Sequence, residues 1–83
     1  MNEGKRRQSE TKFGVWEELS TGGRRYWYEV KSCSGWKARY VKEVDEDERT
    51  EKFYQEIYDE EGKLVEIHEK YPVNKGHQKV KRE

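Results

Sequence analysis

The chain has little of the material from which small domains usually build cores and cross-links. Its 83 residues include one cysteine and one proline, and only 30% are hydrophobic. The single Cys33 excludes an intrachain disulfide, so we expect a protein of the reducing cytoplasm. No apolar run reaches the roughly 20 residues that span a membrane, and no apolar stretch follows the basic N-terminus. The sequence therefore predicts no transmembrane segment, no secretory signal and no membrane partner.

The sequence also lacks the motifs of catalytic, cofactor and metal sites. His68, His77 and Cys33 are too few and too scattered to form a structural zinc site. The acidic run at residues 45–48 lacks the glycine and the spacing of a calcium loop. The glycine pair at 22–23 lacks the helix that follows a phosphate-binding loop. We therefore expect no enzyme activity, no catalytic residues, no metal and no cofactor.

Aromatic and charged residues are abundant instead. All eleven Phe, Trp and Tyr residues lie between Phe13 and Tyr71, and 43% of the chain is charged with a formal net charge of zero. Such a polar composition leans towards disorder, but Trp and Tyr bury large areas and favour folding. Residues 1–12 and 74–83 are net basic and almost without apolar side chains. We expect them to be disordered tails around a small domain at 13–73.

Turn signals divide the middle of the chain into five segments that alternate apolar and polar side chains. The turns are short and rich in Gly, Ser, Asp or Glu, as hairpin loops are. Pro72 ends the last segment because it has no amide donor for a sheet. The pattern predicts antiparallel strands at about 13–19, 24–31, 36–44, 50–58 and 64–71, connected as a meander.

Residues 47–61 are the stretch in which a helix competes with a strand. They include good helix formers, and the pairs Phe53/Ile57 and Tyr54/Tyr58 have the spacing of neighbours on a helix. The same aromatic residues also fit a strand with two apolar faces, and the sequence after Tyr58 is typical of a hairpin. We therefore expect a strand.

A period of two places the side chains of each strand on two faces. The first face is large enough to be the core, and with no helix expected to cover it, the sheet would curl or form a small open barrel. The predicted fold class is thus all-β, a five-stranded antiparallel meander with disordered termini. The first face comprises Phe13, Val15, Leu19, Tyr26, Tyr28, Val30, Trp36, Ala38, Tyr40, Phe53, Ile57, Val65, Ile67 and Tyr71.

The second face mixes aromatic, basic and hydrogen-bonding side chains. It comprises Trp16, Trp27, Lys37, Arg39, Val41, Tyr54, Glu56, Tyr58, Leu64, Glu66 and His68. Surfaces of this kind bind single-stranded nucleic acid by stacking on aromatics and neutralising phosphates. The leading hypothesis is therefore a small non-enzymatic nucleic-acid-binding module. Its predicted site residues are Trp16, Trp27, Lys37, Arg39, Tyr54, Tyr58 and His68.

Two alternatives use the same face. Tyr and Trp are enriched in protein interfaces, so the aromatics would equally serve a homodimer or another protein partner, or cover a second small core. A more remote alternative is a small ribonuclease, in which Glu56 would supply a base, His68 an acid and Arg39 a phosphate stabiliser. Cross-strand charge pairing explains that trio without catalysis.

Overall fold

The computed structural model describes residues 3–73 and the backbone of residues 76–79. One helix precedes six strands: α1 Glu3–Phe13, β1 Val15–Glu18, β2 Arg24–Lys31, β3 Lys37–Val44, β4 Thr50–Tyr58, β5 Leu64–Tyr71 and β6 Gly76–Lys79. The strands lie in chain order in one sheet, and each is antiparallel to the next. The predicted antiparallel meander is confirmed, and β4 forms where a helix was the alternative. The sheet is open, with β1 and β6 at its edges.

Four tight hairpin loops of one geometry make the sheet a meander. In the loops 19–23, 32–36, 45–49 and 59–63, the first residue donates its N–H to the carbonyl oxygen four residues on, at 2.8–3.0 Å. The fourth residue of each loop donates back to the first and has a φ between 65° and 92°. Glycine adopts that conformation without strain. It occupies the position in three loops, and Glu48 occupies it in the other.

A helix replaces most of the predicted N-terminal tail. Residues 3–12 of that tail belong to α1, which has Phe13 as its one large apolar residue. Eleven residues make a marginal helix in isolation, so contacts with the sheet must stabilise it. The Phe13 ring lies 5.9 Å from the ring of Tyr26 and 5.4 Å from that of Tyr28. The helix was not predicted from the sequence because its residues form no apolar stripe.

Part of the predicted C-terminal tail is a strand. The backbone of Gly76–Lys79 forms β6 and pairs with β5. The remaining residues of 74–83, like residues 1–2 of the other tail, lie outside the part of the chain that the structure describes. α1, the one helix among residues 3–73, has neither the length nor the apolar surface of a membrane-spanning helix.

The fully buried core is small. Among the described residues, the buried hydrophobic side chains are Phe13, Tyr26, Val41 and Val44. Each contributes about 1.5–3 kcal/mol to folding before conformational entropy is subtracted. Phe13, Tyr26 and Val44 form one cluster, and half-buried Tyr28 and Phe53 pack against it. Stability therefore depends strongly on contacts of partly buried aromatics across the sheet.

The strand register defines two faces, because residues directly opposite each other point to the same side of a sheet. We call the side on which α1 packs the helix face. There Lys42 Nζ donates to Ser9 Oγ at 2.9 Å, and Arg24 Nη1 donates to Glu10 Oε2 at 2.7 Å. We call the other side the open face, since no described helix or strand packs on it.

A β-bulge changes the faces predicted for β5. Val65 is an extra residue between the partners of Tyr58 and Ile57. One extra residue shifts the alternation that follows it. Glu66 and His68 therefore lie on the helix face, not on the second face for which they were predicted. Ile67 moves in the opposite direction, to the open face.

The alternation in β1 also differs from the prediction. The predicted strand began at Phe13, but Phe13 ends α1, and Gly14 follows with a φ of 78°. Val15 then pairs with Trp27 on the open face, and Trp16 pairs with Tyr26 on the helix face. Both are reversed from the sequence-based assignment.

Candidate interaction face

An apolar row crosses four strands of the open face. Val15 pairs with Trp27, Trp27 with Val41, and Val41 with Tyr54. Val41 is only 2% exposed although no described element covers this face. Its half-buried neighbours Trp27 and Tyr54 shield it from either side. The row is therefore packed within itself while the outer surfaces of its aromatic rings still face solvent.

Two charged rows flank the apolar row. They consist of paired residues of alternating sign, in the order Glu17, Arg25, Glu43, Lys52 on one side and Glu29, Arg39, Glu56 on the other. Opposite charges directly across strands stabilise a sheet, by about 0.2–1 kcal/mol per pair. The open face thus has an apolar centre and a charge-balanced border.

Three bases of the open face are bound by its carboxylates: Arg25, Lys37 and Arg39. Arg39 donates from Nη2 to Glu29 Oε2 at 3.0 Å, and Lys37 Nζ lies 3.5 Å from the same oxygen. These contacts, led by the hydrogen bond from Arg39, lower the pKa of Glu29. Arg25 forms ion pairs with both Glu17 and Glu43.

The tyrosine hydroxyls of this face also donate to carboxylates. Tyr54 Oη donates to Glu43 Oε2 and Tyr58 Oη to Glu56 Oε1, each at 3.0 Å. Burial, followed by these hydrogen bonds to carboxylates, raises the pKa of both phenols. Both tyrosines therefore remain neutral donors at physiological pH. The Arg39 guanidinium lies 5.3 Å from the centre of the Tyr58 ring.

Five of the seven predicted site residues share the open face. Those five are Trp27, Lys37, Arg39, Tyr54 and Tyr58. Trp16 and His68 lie on the helix face, where Trp16 packs 6.3 Å from the Tyr26 ring and His68 pairs with Gln55. The trio of the ribonuclease alternative is therefore divided by the sheet. Arg39 pairs with Glu56 on the open face, and His68 is on the other side.

Most acids of the two charged rows were not among the predicted site residues, although the sequence contains a repeated pattern that marks them. A base, an apolar residue and an acid occur at every second position of three successive strands. These base–apolar–acid triplets are Arg25-Trp27-Glu29, Arg39-Val41-Glu43 and Lys52-Tyr54-Glu56. In an antiparallel sheet, triplets aligned at their apolar members give the observed rows of alternating charge.

No family model, curated protein or solved structure matches this chain. Within residues 3–73, no group of three or more His, Cys, Asp or Glu side chains is placed to hold a metal ion. The open face presents charged groups of both signs and neutral hydroxyl donors around an aromatic centre.

Proposed function

We propose that the protein is a non-enzymatic protein-interaction module that pairs with a second copy of itself through the open face. The observation that supports this proposal best is the apolar row between two charged rows. Protein interfaces have the same anatomy, with an apolar, aromatic-rich centre and a polar rim. Tyr and Trp of the row would supply most of the binding energy, because such residues dominate interface hot spots.

The order of charges makes the open face complementary to itself. A second copy can be turned by 180° about the line of the apolar row, so that the two rows lie against each other. This rotation exchanges the two ends of every strand. Each base then lies over the acid of the same triplet in the other copy: Arg25 over Glu29, Arg39 over Glu43 and Lys52 over Glu56. A two-fold interface of one patch with itself is the usual form of a homodimer.

The ion pairs favour a protein partner over nucleic acid on this face. Lys37 and Arg39 both bind Glu29, and a phosphate would have to displace that carboxylate. The charged rows bring four acids beside the aromatic residues, and these would repel a nucleic-acid backbone. Nucleic-acid affinity depends on the release of counterions from phosphates by available bases, whereas a protein surface can satisfy both signs of charge.

Sedimentation velocity of the full chain tests the dimer directly. We expect a concentration-dependent shift from monomer to dimer between about 1 µM and 100 µM, the range typical of a modest interface. Trp27→Ala should abolish the shift, whereas Trp36→Ala, in a hairpin loop, should preserve it. A chain that remains monomeric at the highest concentration would refute the proposal.

Mixing two charge-reversal variants tests the two-fold geometry. Arg25→Glu puts two acids opposite each other in the dimer, and Glu29→Arg puts two bases opposite each other, so each variant alone should be mostly monomeric. A mixture should form a heterodimer, because Glu at position 25 of one chain then faces Arg at position 29 of the other. Lys63→Glu, at a loop away from the face, serves as the control and should dimerise like the wild type. Absence of the heterodimer would exclude this arrangement of the two copies.

A further inference from the structure

A basic groove runs between α1 and the helix face, on the side of β4 and β5. Its volume is about 610 Å³, within the range of about 300–1,000 Å³ usual for ligand sites. Four bases and three aromatics line it together with Thr50: Lys5, Lys12, Lys42, Arg49, Phe13, Phe53 and Tyr71. It lies on the opposite side of the sheet from the proposed dimer interface.

Unlike Arg25, Lys37 and Arg39 of the open face, three bases of the groove have no carboxylate partner among the described residues. Among the described residues, no carboxylate oxygen lies within 4.0 Å of the side-chain nitrogens of Lys12, Lys42 or Arg49. Lys42 instead donates to the neutral Ser9 hydroxyl at 2.9 Å. The Nζ atoms of Lys12 and Lys42 lie 5.6 and 5.9 Å from the centre of the same Phe13 ring. Their positive charge is therefore left for a ligand.

Glu48, the acid that acts electrostatically on Lys42, is already engaged in other contacts. Glu48 is 3% exposed and accepts hydrogen bonds from Tyr26 Oη at 2.8 Å and Arg6 Nε at 3.2 Å. Burial lowers the pKa of Lys42, as do the charges of Lys12 and Lys5, and Glu48 only partly opposes the effect. A bound anion would relieve this accumulation of positive charge.

We infer that the basic groove binds single-stranded nucleic acid, with a backbone phosphate between Lys12, Lys42 and Arg49 and a base against the Tyr71 ring. Bases and aromatics line the same groove, as in sites that neutralise the backbone and stack the bases. Tyr71 is 48% exposed, so its ring is accessible for stacking. Lys70 adds a further positive charge beside the groove, with Nζ 5.7 Å from the centre of the Phe53 ring. An acidic peptide would pair with the bases but would have no aromatic bases to stack on the exposed Tyr71 ring.

Fluorescence anisotropy with a labelled homopolymer of about ten deoxythymidines tests the inference. The full chain should bind it at about 20 mM salt and lose affinity as salt rises. Lys42→Gln and Lys12→Gln should each weaken binding about tenfold, and each should reduce the slope of log affinity against log salt by about 0.7, the value for one phosphate contact on a single strand. Tyr71→Leu should weaken binding about fivefold or more while leaving that slope unchanged.

Two controls separate this site from nonspecific attraction. Lys31→Gln removes a base from the open face and should leave affinity unchanged. The melting temperature of Lys42→Gln should stay well above the assay temperature, although the hydrogen bond to Ser9 is lost, so lost binding would not reflect unfolding. The inference is overturned if the wild type does not bind at low salt, or if Lys31→Gln weakens binding as much as Lys42→Gln. It is also overturned if a polyglutamate peptide of equal charge binds as tightly and Tyr71→Leu has no effect.

Discussion

At the scale of single residues, Glu48 has a strained backbone conformation whose free-energy cost is offset by tertiary hydrogen bonds. It occupies the left-handed position at which the other three tight loops have glycine, with a φ of 65°. That conformation costs a non-glycine residue roughly 1–2 kcal/mol. In return, the buried Glu48 carboxylate links Tyr26 of β2 to Arg6 of α1. One loop residue thus connects the sheet to the helix.

Tyr26→Phe tests the value of that link. The Tyr26 ring is fully buried, and phenylalanine would fill its place while removing one of the donors to the Glu48 carboxylate. A buried acceptor that loses its partner costs about 1–3 kcal/mol, so we expect the free energy of unfolding in urea to fall by that amount. Tyr28→Phe is the matched control, since among the described residues no hydrogen bond involves the Tyr28 hydroxyl, and it should change stability by less than about 0.5 kcal/mol. Equal effects of the two changes would contradict this role of Glu48.

At the scale of elements, α1 is held to the sheet at a few points. Phe13 supplies the apolar contact, and ion pairs join Arg6 to Glu48 and Glu10 to Arg24. Gly14 ends the helix in the left-handed conformation that glycine favours after a helix. The polar residues of α1 contribute little burial of their own. Docking therefore depends mainly on one aromatic side chain.

Phe13→Ala should detach α1 while leaving most of the sheet folded. Removal of a buried phenylalanine costs about 3–5 kcal/mol, more than an eleven-residue helix can offset by itself. Hydrogen exchange should show loss of protection for the amides of residues 7–13, while those of β3 and β4 remain protected. Val30→Ala, which truncates a side chain that is 50% exposed on the same face, should leave both regions protected. Persistent protection of α1 in Phe13→Ala would show that the ion pairs suffice.

The strands could be predicted from sequence more fully than the faces. β2, β4 and β5 have the predicted bounds because short polar loops with glycine or acidic residues mark their ends. The face of His68 could not be predicted, because the bulge at Val65 falls on an ordinary strand residue and arises from pairing with β4. The face of Trp16 was predicted wrongly because the predicted strand began at Phe13. In the structure Phe13 ends a helix, and this polar helix has no periodic apolar pattern by which it could be predicted.

The molecule as a whole separates two kinds of charge arrangement on the two sides of one sheet. On the open face, acids and bases are paired in rows around the apolar row. On the helix face, Lys12, Lys42 and Arg49 of the basic groove have no carboxylate partner within the part of the chain that the structure describes. A net charge of zero conceals this difference. In the proposed dimer the open faces would lie together, so both basic grooves would point outward in opposite directions.

The two proposals therefore predict independent binding events. Each chain should take up one short oligonucleotide, giving two per dimer, because the grooves face away from each other and a strand of about ten nucleotides cannot reach both. Isothermal titration above and below the dimer dissociation constant should give the same stoichiometry per chain and the same affinity. Lys42→Gln should lose oligonucleotide affinity with no change in the dimer dissociation constant, and Arg25→Glu should do the reverse. Affinity that rises with dimerisation would show that the two sites are coupled, because linkage requires each ligand to change the affinity for the other by the same factor.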